Sequence, residues 1–364
     1  MPWRTYAVLP ALLAALIVPI SATGSEMLPA STLSPLSIDP EKITVSGVSS
    51  GGYLAHQMHV ALSETISGAG IIAAGPYYCA GEAYPWNLFR TLDVCMNFPD
   101  LMPFLGPPDA ANSLAEARAQ ADAGRIDHVR NLRDDKVFLF SGTEDDWVPR
   151  SVVDAAANVY RALGPQDRIK FVTTIDAPHG MITDDSGNAC DQFTEPYVND
   201  CDYDLAGAML SHFYGPLAPP AENVGEMTAF DQREFFDTDV LTGLADEGYI
   251  YVPKACADGA LCRLHVALHG CLQDAETVGD AFYRGAGYNE WAETNNIVVL
   301  YPQARRVTTS LLSLSLPWPN PAGCWDWWGF TGPDYHLKSG HQISAIKAMI
   351  DRLAKPKGSE QCPC

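Results

Sequence analysis

Basic residues are scarce in this chain. Its 364 residues include 23 Lys and Arg against 44 Asp and Glu, which gives a formal net charge of −21 at pH 7. Such an excess of negative charge repels the phosphates of nucleic acids and the surfaces of anionic membranes. The composition therefore argues against a protein that binds nucleic acid or anionic lipid.

Long apolar runs are missing after the N-terminal segment, and the chain has neither internal repeats nor low-complexity tracts. The N-terminal segment places an apolar run, Ala7 to Ile20, between Arg4 and a group of small residues. A run of that length with these flanks indicates a secretory signal peptide rather than a spanning helix. We therefore assign residues 1–24 to a signal peptide and expect residues 25–364 to form the single domain of a soluble, exported protein.

C-x-x-C pairs at zinc-finger spacing are also missing, although the chain has ten cysteines. We therefore predict no metal site and no cofactor. In an exported chain most cysteines are expected to be paired. Closeness in sequence gives three candidate disulfides and leaves Cys271 and Cys324 to each other, with no partner assigned to Cys362 or Cys364. The three candidates are Cys79 with Cys95, Cys190 with Cys201, and Cys256 with Cys262.

A G-x-S-x-G motif, Gly47–Gly51, lies between a predicted strand and a predicted helix. Ile43 and Val45 alternate with polar residues, as on one buried face of a short strand, and residues 53–62 form a helix by composition. A sharp strand-to-helix turn leaves no room for side chains at the two glycines and exposes the central hydroxyl, that of Ser49. The alternative is a Ser/Gly loop that only caps the helix. We favour a catalytic turn because the rest of the chain supplies the partners that such a serine needs.

The rest of the chain repeats the order strand, polar loop, helix. Lys136–Phe140 and Ile169–Ile175 are predicted to be strands, and each runs into a polar loop. This order predicts an α/β fold with a doubly wound, mostly parallel sheet. The active sites of such sheets lie at the carboxyl ends of the strands. Ser49, Asp145 and His179 all occur at such ends.

These side chains have the types and the chain order of a catalytic triad. A histidine removes the proton of the serine, and a carboxylate holds the histidine's tautomer and stabilises its charge. The order serine, acid, histidine is that of α/β-hydrolases. The acid is open among Glu144, Asp145 and Asp146, and we favour Asp145 for its place in the loop before the next helix. The alternative for His179 is a structural residue that caps a strand-end loop.

A serine hydrolase also needs two backbone N–H groups that bind the oxyanion. One belongs to Ser50, the residue after the nucleophile. The other normally comes from a His-Gly loop at the end of a strand that precedes the nucleophile. Here the segment of that character, Val266–Cys271, comes far after Ser49. We therefore predict a circularly permuted α/β-hydrolase fold, in which this strand joins the same sheet as the Ser49 strand.

Five motifs together resemble the single-domain, circularly permuted, extracellular poly(3-hydroxybutyrate) depolymerases of the fungal kind. They are GVSSGGY, LFSGTEDDWV, DAPHG, LHGC and NPAGCWDWWG, and they span nearly the whole chain after the signal peptide. The resemblance implies Ser49 as the nucleophile, Asp145 and His179 as its partners, and the amides of Ser50 and Cys271 as the oxyanion hole. It also implies a substrate crevice bordered by tryptophans, in a protein without a separate polymer-binding domain.

Three tryptophans occur close together in the segment Gly323–Gly329. They do not recur at helical spacing and several prolines precede them, so a loop is favoured, with burial in the core as the alternative. We expect Trp325, Trp327 and Trp328 to contact the substrate, Trp325 foremost. Exposed aromatic groups normally mark a binding surface, and the segment 76–110 supplies further candidates, namely Tyr77, Tyr78 and Trp86.

The sequence thus predicts a secreted, monomeric serine esterase that hydrolyses poly- or oligo(3-hydroxybutyrate) esters through an acyl-enzyme. Its expected partner is the polyester or oligoester substrate, and no nucleic acid or membrane is expected. An esterase for feruloyl or acetyl esters, or for another polyester, is the alternative enzyme. The absence of propeller-like repeats disfavours a peptidase of the prolyl-oligopeptidase kind. The presence of every catalytic group disfavours a secreted adhesion protein.

Overall fold

A computed structural model describes residues 31–98, 106–221, 225–311 and 314–356 of the chain. The predicted signal peptide, residues 1–24, lies outside the described residues, as do Cys362 and Cys364. Within the described ranges, no helix combines the length and the apolar character that a membrane crossing requires.

The described residues contain strands and helices in alternation over most of the chain. The strands are β1 Ile38–Val48, β2 Gly68–Ile72, β3 Lys136–Phe140, β4 Ile169–Val172, β5 Met181–Thr183, β6 Asn188–Ala189, β7 Val198–Asp200, β8 Glu226–Asp231, β9 Glu247–Val252, β10 Cys262–Leu268, β11 Ile297–Tyr301, β12 Val307–Leu311 and β13 Leu314–Asn320. The helices are α1 Ser50–Ala61, α2 Ala110–Asp122, α3 Arg150–Arg161, α4 Leu205–Tyr214, α5 Lys254–Ala257, α6 Ala275–Val278, α7 Ala281–Gly285, α8 Tyr288–Asn295 and α9 His341–Ala354.

Eight of the described strands form the main sheet, in the order β4-β3-β2-β1-β10-β11-β9-β8. The strands from β4 to β11 are parallel to their neighbours, and β9 and β8 are added antiparallel at one edge. Strand β10 pairs with β1 in a register that sets Ile43 opposite Leu264 and Gly47 opposite Leu268. The late strand therefore lies beside the first one in the same parallel sheet, as the predicted circular permutation requires.

Helices cover both faces of this sheet, as the term doubly wound implies. On one face, Leu54 of α1 and Val152 of α3 belong to the same buried cluster as Val45 of β1. On the other face, Met209 of α4 packs in the cluster that contains Val48 of β1. Strand β3 is buried on both sides from Val137 to Phe140, which explains the unbroken apolar run VFLF that follows Lys136.

One edge strand was missed by the sequence pattern. Strand β8 lies in residues 215–240, a segment rich in proline and acidic residues in which the sequence pattern predicts no strand. Glu226 is exposed and the other residues except Phe230 are half-buried, so the sequence of β8, EMTAFD, lacks the continuous apolar run of a central strand. An edge strand with one covered face carries a weaker signal of this kind.

Four disulfides join described segments. Three are the pairs that closeness in sequence suggested, and the fourth joins the two cysteines that were left to each other: Cys79–Cys95, Cys190–Cys201, Cys256–Cys262 and Cys271–Cys324. The second pair lies in the segment between β4 and α4, which also contains the small sheet of β5, β6 and β7. The fourth pair connects the loop after β10 to the tryptophan-rich segment. Both of these loops lie at the carboxyl end of the main sheet.

Candidate active site

Ser49 occupies the sharp turn between β1 and α1. Its backbone has a φ of 55° and a ψ of −123°, a conformation that L-residues adopt only under constraint. A Cβ on Gly47 would lie 2.2 Å from the Gly51 carbonyl carbon, and a Cβ on Gly51 would lie 2.4 Å from the His269 carbonyl oxygen. Both glycines are therefore required by close backbone approach, and the Ser49 side chain is held out at the end of the sheet.

His179 and Asp145 form a hydrogen-bonded pair on two neighbouring strand-end loops. His179 Nδ1 lies 2.9 Å from Asp145 Oδ2. The other carboxylate oxygen of Asp145 accepts the backbone N–H groups of Trp147 at 3.0 Å and Val148 at 2.8 Å. Both carboxylate oxygens thus have donors, which fixes the carboxylate and orients the imidazole. Of the three acids left open by the sequence, Asp145 is the buried one that faces His179; its two neighbours are exposed.

Ser49 and His179 open onto one cleft of about 340 Å³. Its walls are mainly apolar, and a carboxylic ester with aliphatic substituents suits such a surface. The residues that line it are Val48, Ser49, Leu88, Thr91, Leu92, Met96, Phe98, Trp147, His179, Gly180, Phe193, Tyr197, Gly270, Cys271, Leu272, Gln273, Asn320, Pro321, Ala322, Cys324, Trp327 and Trp328.

The loop after β10 borders Ser49 directly. A Cβ on Gly270 would lie 3.4 Å from the Ser49 Cβ atom, and Cys271 lines the cleft. Ser50 is the first residue of α1, where backbone N–H groups have no partner within the helix. The backbone of both predicted oxyanion donors therefore lies next to Ser49.

The expectation for Trp325 as the foremost substrate contact is wrong. The side chain is fully buried, and its indole Nε1 donates a hydrogen bond of 2.9 Å to the carbonyl oxygen of His269. It does not line the cleft. The neighbouring Cys324 forms a disulfide with Cys271 in the loop after β10. The Trp325 indole lies on the buried side of this loop and supports it through the hydrogen bond to His269.

Trp327 and Trp328 do line the cleft, but they are well-packed wall residues rather than an exposed patch. The Trp327 ring stacks on Tyr53 with centroids 4.1 Å apart and meets Trp328 edge to face at 5.5 Å. The buried carboxylate of Asp326 holds the turn that carries them by accepting the backbone N–H groups of Gly329 at 2.6 Å, Phe330 at 3.0 Å and Thr331 at 2.9 Å. Burial raises the pKa of Asp326, and the hydrogen bonds from Thr331 oppose that shift.

Two side chains that line the cleft, those of Trp328 and Thr91, each carry a buried polar atom without a hydrogen-bond partner among the described residues. Trp328 Nε1 is buried, and within the described residues no acceptor lies within hydrogen-bonding distance of it. A buried donor without an acceptor costs free energy.

The aromatic candidates from the segment 76–110 differ in how far their side chains are exposed. Tyr77 is fully buried and cannot belong to an exposed surface, so that expectation is wrong. Tyr78 is half-buried, against His336 at a centroid distance of 4.3 Å. Trp86 is 85% exposed, close in sequence to the cleft residue Leu88.

An aromatic wall near His179 was missed by the sequence analysis. It consists of Phe98, Trp147, Phe193 and Tyr197, with successive ring centroids 5.4, 5.7 and 5.1 Å apart. The Phe193 ring meets His179 edge to face at 6.3 Å. Two signals were available: Trp147 follows the predicted acid by two residues, and Phe193 lies inside the predicted Cys190–Cys201 loop.

Two named proteins are similar to this chain over most of its length, although no family model matches it. A poly(3-hydroxybutyrate) depolymerase of Delftia acidovorans is 42% identical over 333 residues, which cover 90% of this chain and 63% of that protein. A polyhydroxybutyrate depolymerase of Talaromyces funiculosus is 35% identical over 342 residues, which cover 91% of this chain and 95% of that protein. The chain therefore spans less than two thirds of the Delftia protein and nearly all of the Talaromyces protein.

Two solved structures have the same fold. The PHB depolymerase from Penicillium funiculosum superposes with a TM-score of 0.78 at 33% identity, covering 89% of this chain and 99% of that chain. A PHB depolymerase in which a serine is replaced by alanine, complexed with an R3HB trimer, gives the same values of 0.78, 33%, 89% and 99%. The predicted mostly parallel α/β-hydrolase fold is confirmed by these matches. This chain belongs to the family of poly(3-hydroxybutyrate) depolymerases, whose members are carboxylic-ester hydrolases.

Proposed function

We propose that this protein is a secreted serine esterase that hydrolyses the ester bonds of poly- and oligo(3-hydroxybutyrate). The observation that carries the proposal is the His179–Asp145 pair, with an Nδ1–Oδ2 distance of 2.9 Å, in a mainly apolar cleft that also contains Ser49. Membership of the depolymerase family and the similarity to a structure complexed with an R3HB trimer support the choice of substrate.

In the proposed reaction, the Ser49 hydroxyl attacks the ester carbonyl while His179 accepts its proton. Asp145 holds the Nδ1 proton of His179, so that Nε2 is left as the base and the imidazolium is stabilised once it forms. The carbonyl oxygen becomes an oxyanion that the backbone N–H groups of Ser50 and Cys271 bind. Collapse releases the alcohol, which takes the proton from His179, and leaves an acyl-Ser49 ester. Water, activated in turn by His179, then hydrolyses this ester.

The cleft supplies the recognition of an aliphatic polyester in this proposal. Such a chain offers alternating methyl-substituted carbons and ester groups, so its sites need apolar area with a few hydrogen-bond donors. The aromatic wall of Phe98, Trp147 and Phe193 provides apolar area beside His179. Trp328 Nε1 is the donor proposed for an ester group next to the scissile one, because it is buried and unpartnered within the described residues.

Purified protein tests the substrate class directly. The 3-hydroxybutyrate trimer, polyhydroxybutyrate film, a feruloyl ester and acetylated xylan are offered to it side by side, with Ser49→Ala as the matched control. We expect cleavage of the trimer and clearing of the film, both lost in Ser49→Ala. Turnover of the feruloyl or acetyl esters without the trimer would replace the proposed substrate by that of the rival esterase.

Export, domain organisation and oligomeric state are part of the same proposal. The four disulfides support an oxidising compartment. We expect the secreted protein to begin near residue 25, to form one catalytic domain and to remain a monomer. N-terminal sequencing of culture-medium protein and light scattering of that material check these points. A retained leader or a dimer mass would contradict them.

A further inference from the structure

The loop after β10 is held by side chains that the triad does not include. His269 directly follows the strand and is fully buried. Its Nε2 atom lies 3.1 Å from the backbone nitrogen of Ala304, and its Nδ1 atom lies 2.7 Å from the carbonyl oxygen of Gly270. A backbone N–H is only a donor, so Nε2 must accept the Ala304 proton. Nδ1 therefore carries the proton and donates it to Gly270.

The backbone N–H of Gly270 is also held by a side chain. The Gly270 N–H donates to Gln273 Oε1 at 2.7 Å. The Gln273 amide nitrogen in turn donates to the carbonyl oxygens of Pro196 at 3.0 Å and Tyr197 at 2.9 Å. The position of Gly270 is thus set by one side chain at its carbonyl and another at its amide.

The hydrogen bond from His269 determines where the next N–H points. The peptide between Gly270 and Cys271 is planar, and in the trans form its C=O and N–H point in opposite directions. Its carbonyl is turned toward buried His269, which is not a lining residue of the cleft, whereas Cys271 is. The Cys271 N–H is therefore turned away from the core. Among the described residues no acceptor is assigned to it.

We propose that His269 is a positioning residue, which holds the Gly270–Cys271 peptide so that the Cys271 N–H faces the developing oxyanion. The inference rests on the proposed function, since it requires ester hydrolysis at Ser49. Oxyanion donors act through preorganisation, because a donor already aimed at the developing charge needs no rearrangement during the reaction. Burial lowers the pKa of His269, which keeps the imidazole in the neutral form that both hydrogen bonds require.

The test uses the full-length enzyme and a soluble p-nitrophenyl butyrate assay, which is independent of polymer binding. His269→Leu removes both hydrogen bonds of the ring. We expect kcat to fall about 100-fold, the lower range for loss of one oxyanion donor, while KM stays within about threefold because the ground-state ester does not use the donor fully. The inhibition constant of an alkyl boronic acid, whose serine adduct is tetrahedral, should rise by a similar factor.

A merely structural role would give a different pattern. The matched control is His56→Leu, which also removes a fully buried imidazole, one that contacts the Gly75 carbonyl oxygen rather than the loop. It should lower the melting temperature without changing kcat or boronate affinity. Unchanged kcat in folded His269→Leu, or a rise in KM alone, would overturn the proposal.

A second variant covers the case in which His269→Leu does not fold. Gln273→Met removes the acceptor of the Gly270 N–H and should reproduce the kcat-specific loss and the weaker boronate binding. Unchanged kcat together with unchanged boronate affinity in Gln273→Met would overturn the proposal. Failure of the wild-type enzyme on every ester would instead refute the proposed function, so the two failures are distinguishable.

Discussion

At the scale of single residues, the proposed ester hydrolysis depends on the side chain of Ser49. Replacing Ser49 by alanine removes the nucleophile and should lower kcat for esters by several orders of magnitude. The fold should persist, because alanine keeps the Cβ atom in the same turn. Labelling by a fluorophosphonate followed by peptide mapping is the measurement. A label on Ser50 or any other serine would contradict the assignment.

Trp328 gives a second residue-scale prediction. Trp328→Phe keeps an aromatic ring in the cleft wall but removes the unpartnered Nε1 donor. We expect kcat/KM for the 3-hydroxybutyrate trimer to fall about tenfold, as for the loss of one hydrogen bond of about 1.4 kcal/mol, with little change for p-nitrophenyl acetate.

A matched control for this change is Trp291→Phe. The Trp291 Nε1 donor bonds Asp204 at 2.8 Å and does not line the cleft, so its loss should affect stability and leave both kinetic constants unchanged. Equal losses of Trp328→Phe on the trimer and the small ester would argue that Trp328 is only a packing residue.

The limits of sequence reasoning are clearest among the tryptophans. Asp145 was favoured over its neighbours from its place in a loop, and it is the acid that contacts His179. No comparable rule separates Trp325 from Trp327. The three rings lie within four positions of an irregular turn, and their directions are set by the Cys271–Cys324 disulfide and the Asp326 carboxylate. The spacing of the tryptophans in the sequence does not show how this disulfide and this carboxylate orient the rings.

At the scale of elements, apolar runs and strand-end motifs were sufficient to predict strands β1, β3, β4 and β10 of the main sheet. Strands such as β3 and β11 are buried on both faces, so their sequences are nearly all apolar. The edge strand β8 has no such run and was missed. The aromatic wall was missed for another reason: Phe98 and Phe193 lie far apart in sequence and meet only through Trp147.

The Cys271–Cys324 disulfide yields an element-scale prediction. Its cysteines are 53 residues apart, so the chain-entropy account gives about 4 kcal/mol of stabilisation. The double variant Cys271→Ser with Cys324→Ser should lose up to that amount of unfolding free energy in urea titrations. It should also lose kcat, because Cys271 carries a proposed oxyanion donor.

The control for this prediction is the double replacement of Cys256 and Cys262 by serine. These cysteines are 6 residues apart, for which the same account gives about 2 kcal/mol. They do not line the cleft, so kcat should be unchanged. A kcat loss of the same size in both double variants would show that the effect is general destabilisation.

At the scale of the whole molecule, buried histidines make stability depend on pH. Burial lowers the pKa of His56 and of His265 from 6.5 to about 3. Between about pH 3 and pH 6.5 these two histidines are therefore protonated in the unfolded chain and neutral in the folded protein. The stability present above about pH 6.5 is therefore lost as the pH falls, with a slope of about 1.4 kcal/mol per pH unit for each histidine.

Urea unfolding with intact disulfides, measured from pH 4 to pH 6, checks this dependence. His56→Leu should reduce the slope of unfolding free energy against pH by about 1.4 kcal/mol per pH unit, the contribution of one proton, relative to the wild type. Parallel slopes for the two proteins would contradict the burial of a neutral imidazole at this position.

The proposed function requires that the one cleft lined by Ser49 and His179 hydrolyses a 3-hydroxybutyrate polyester. The most direct measurement is mass spectrometry of the products released from the purified 3-hydroxybutyrate trimer by wild-type protein and by Ser49→Ala. We expect 3-hydroxybutyrate monomer and dimer from the wild type and intact trimer from the variant. Intact trimer from a wild-type protein that still cleaves feruloyl or acetyl esters would contradict the account.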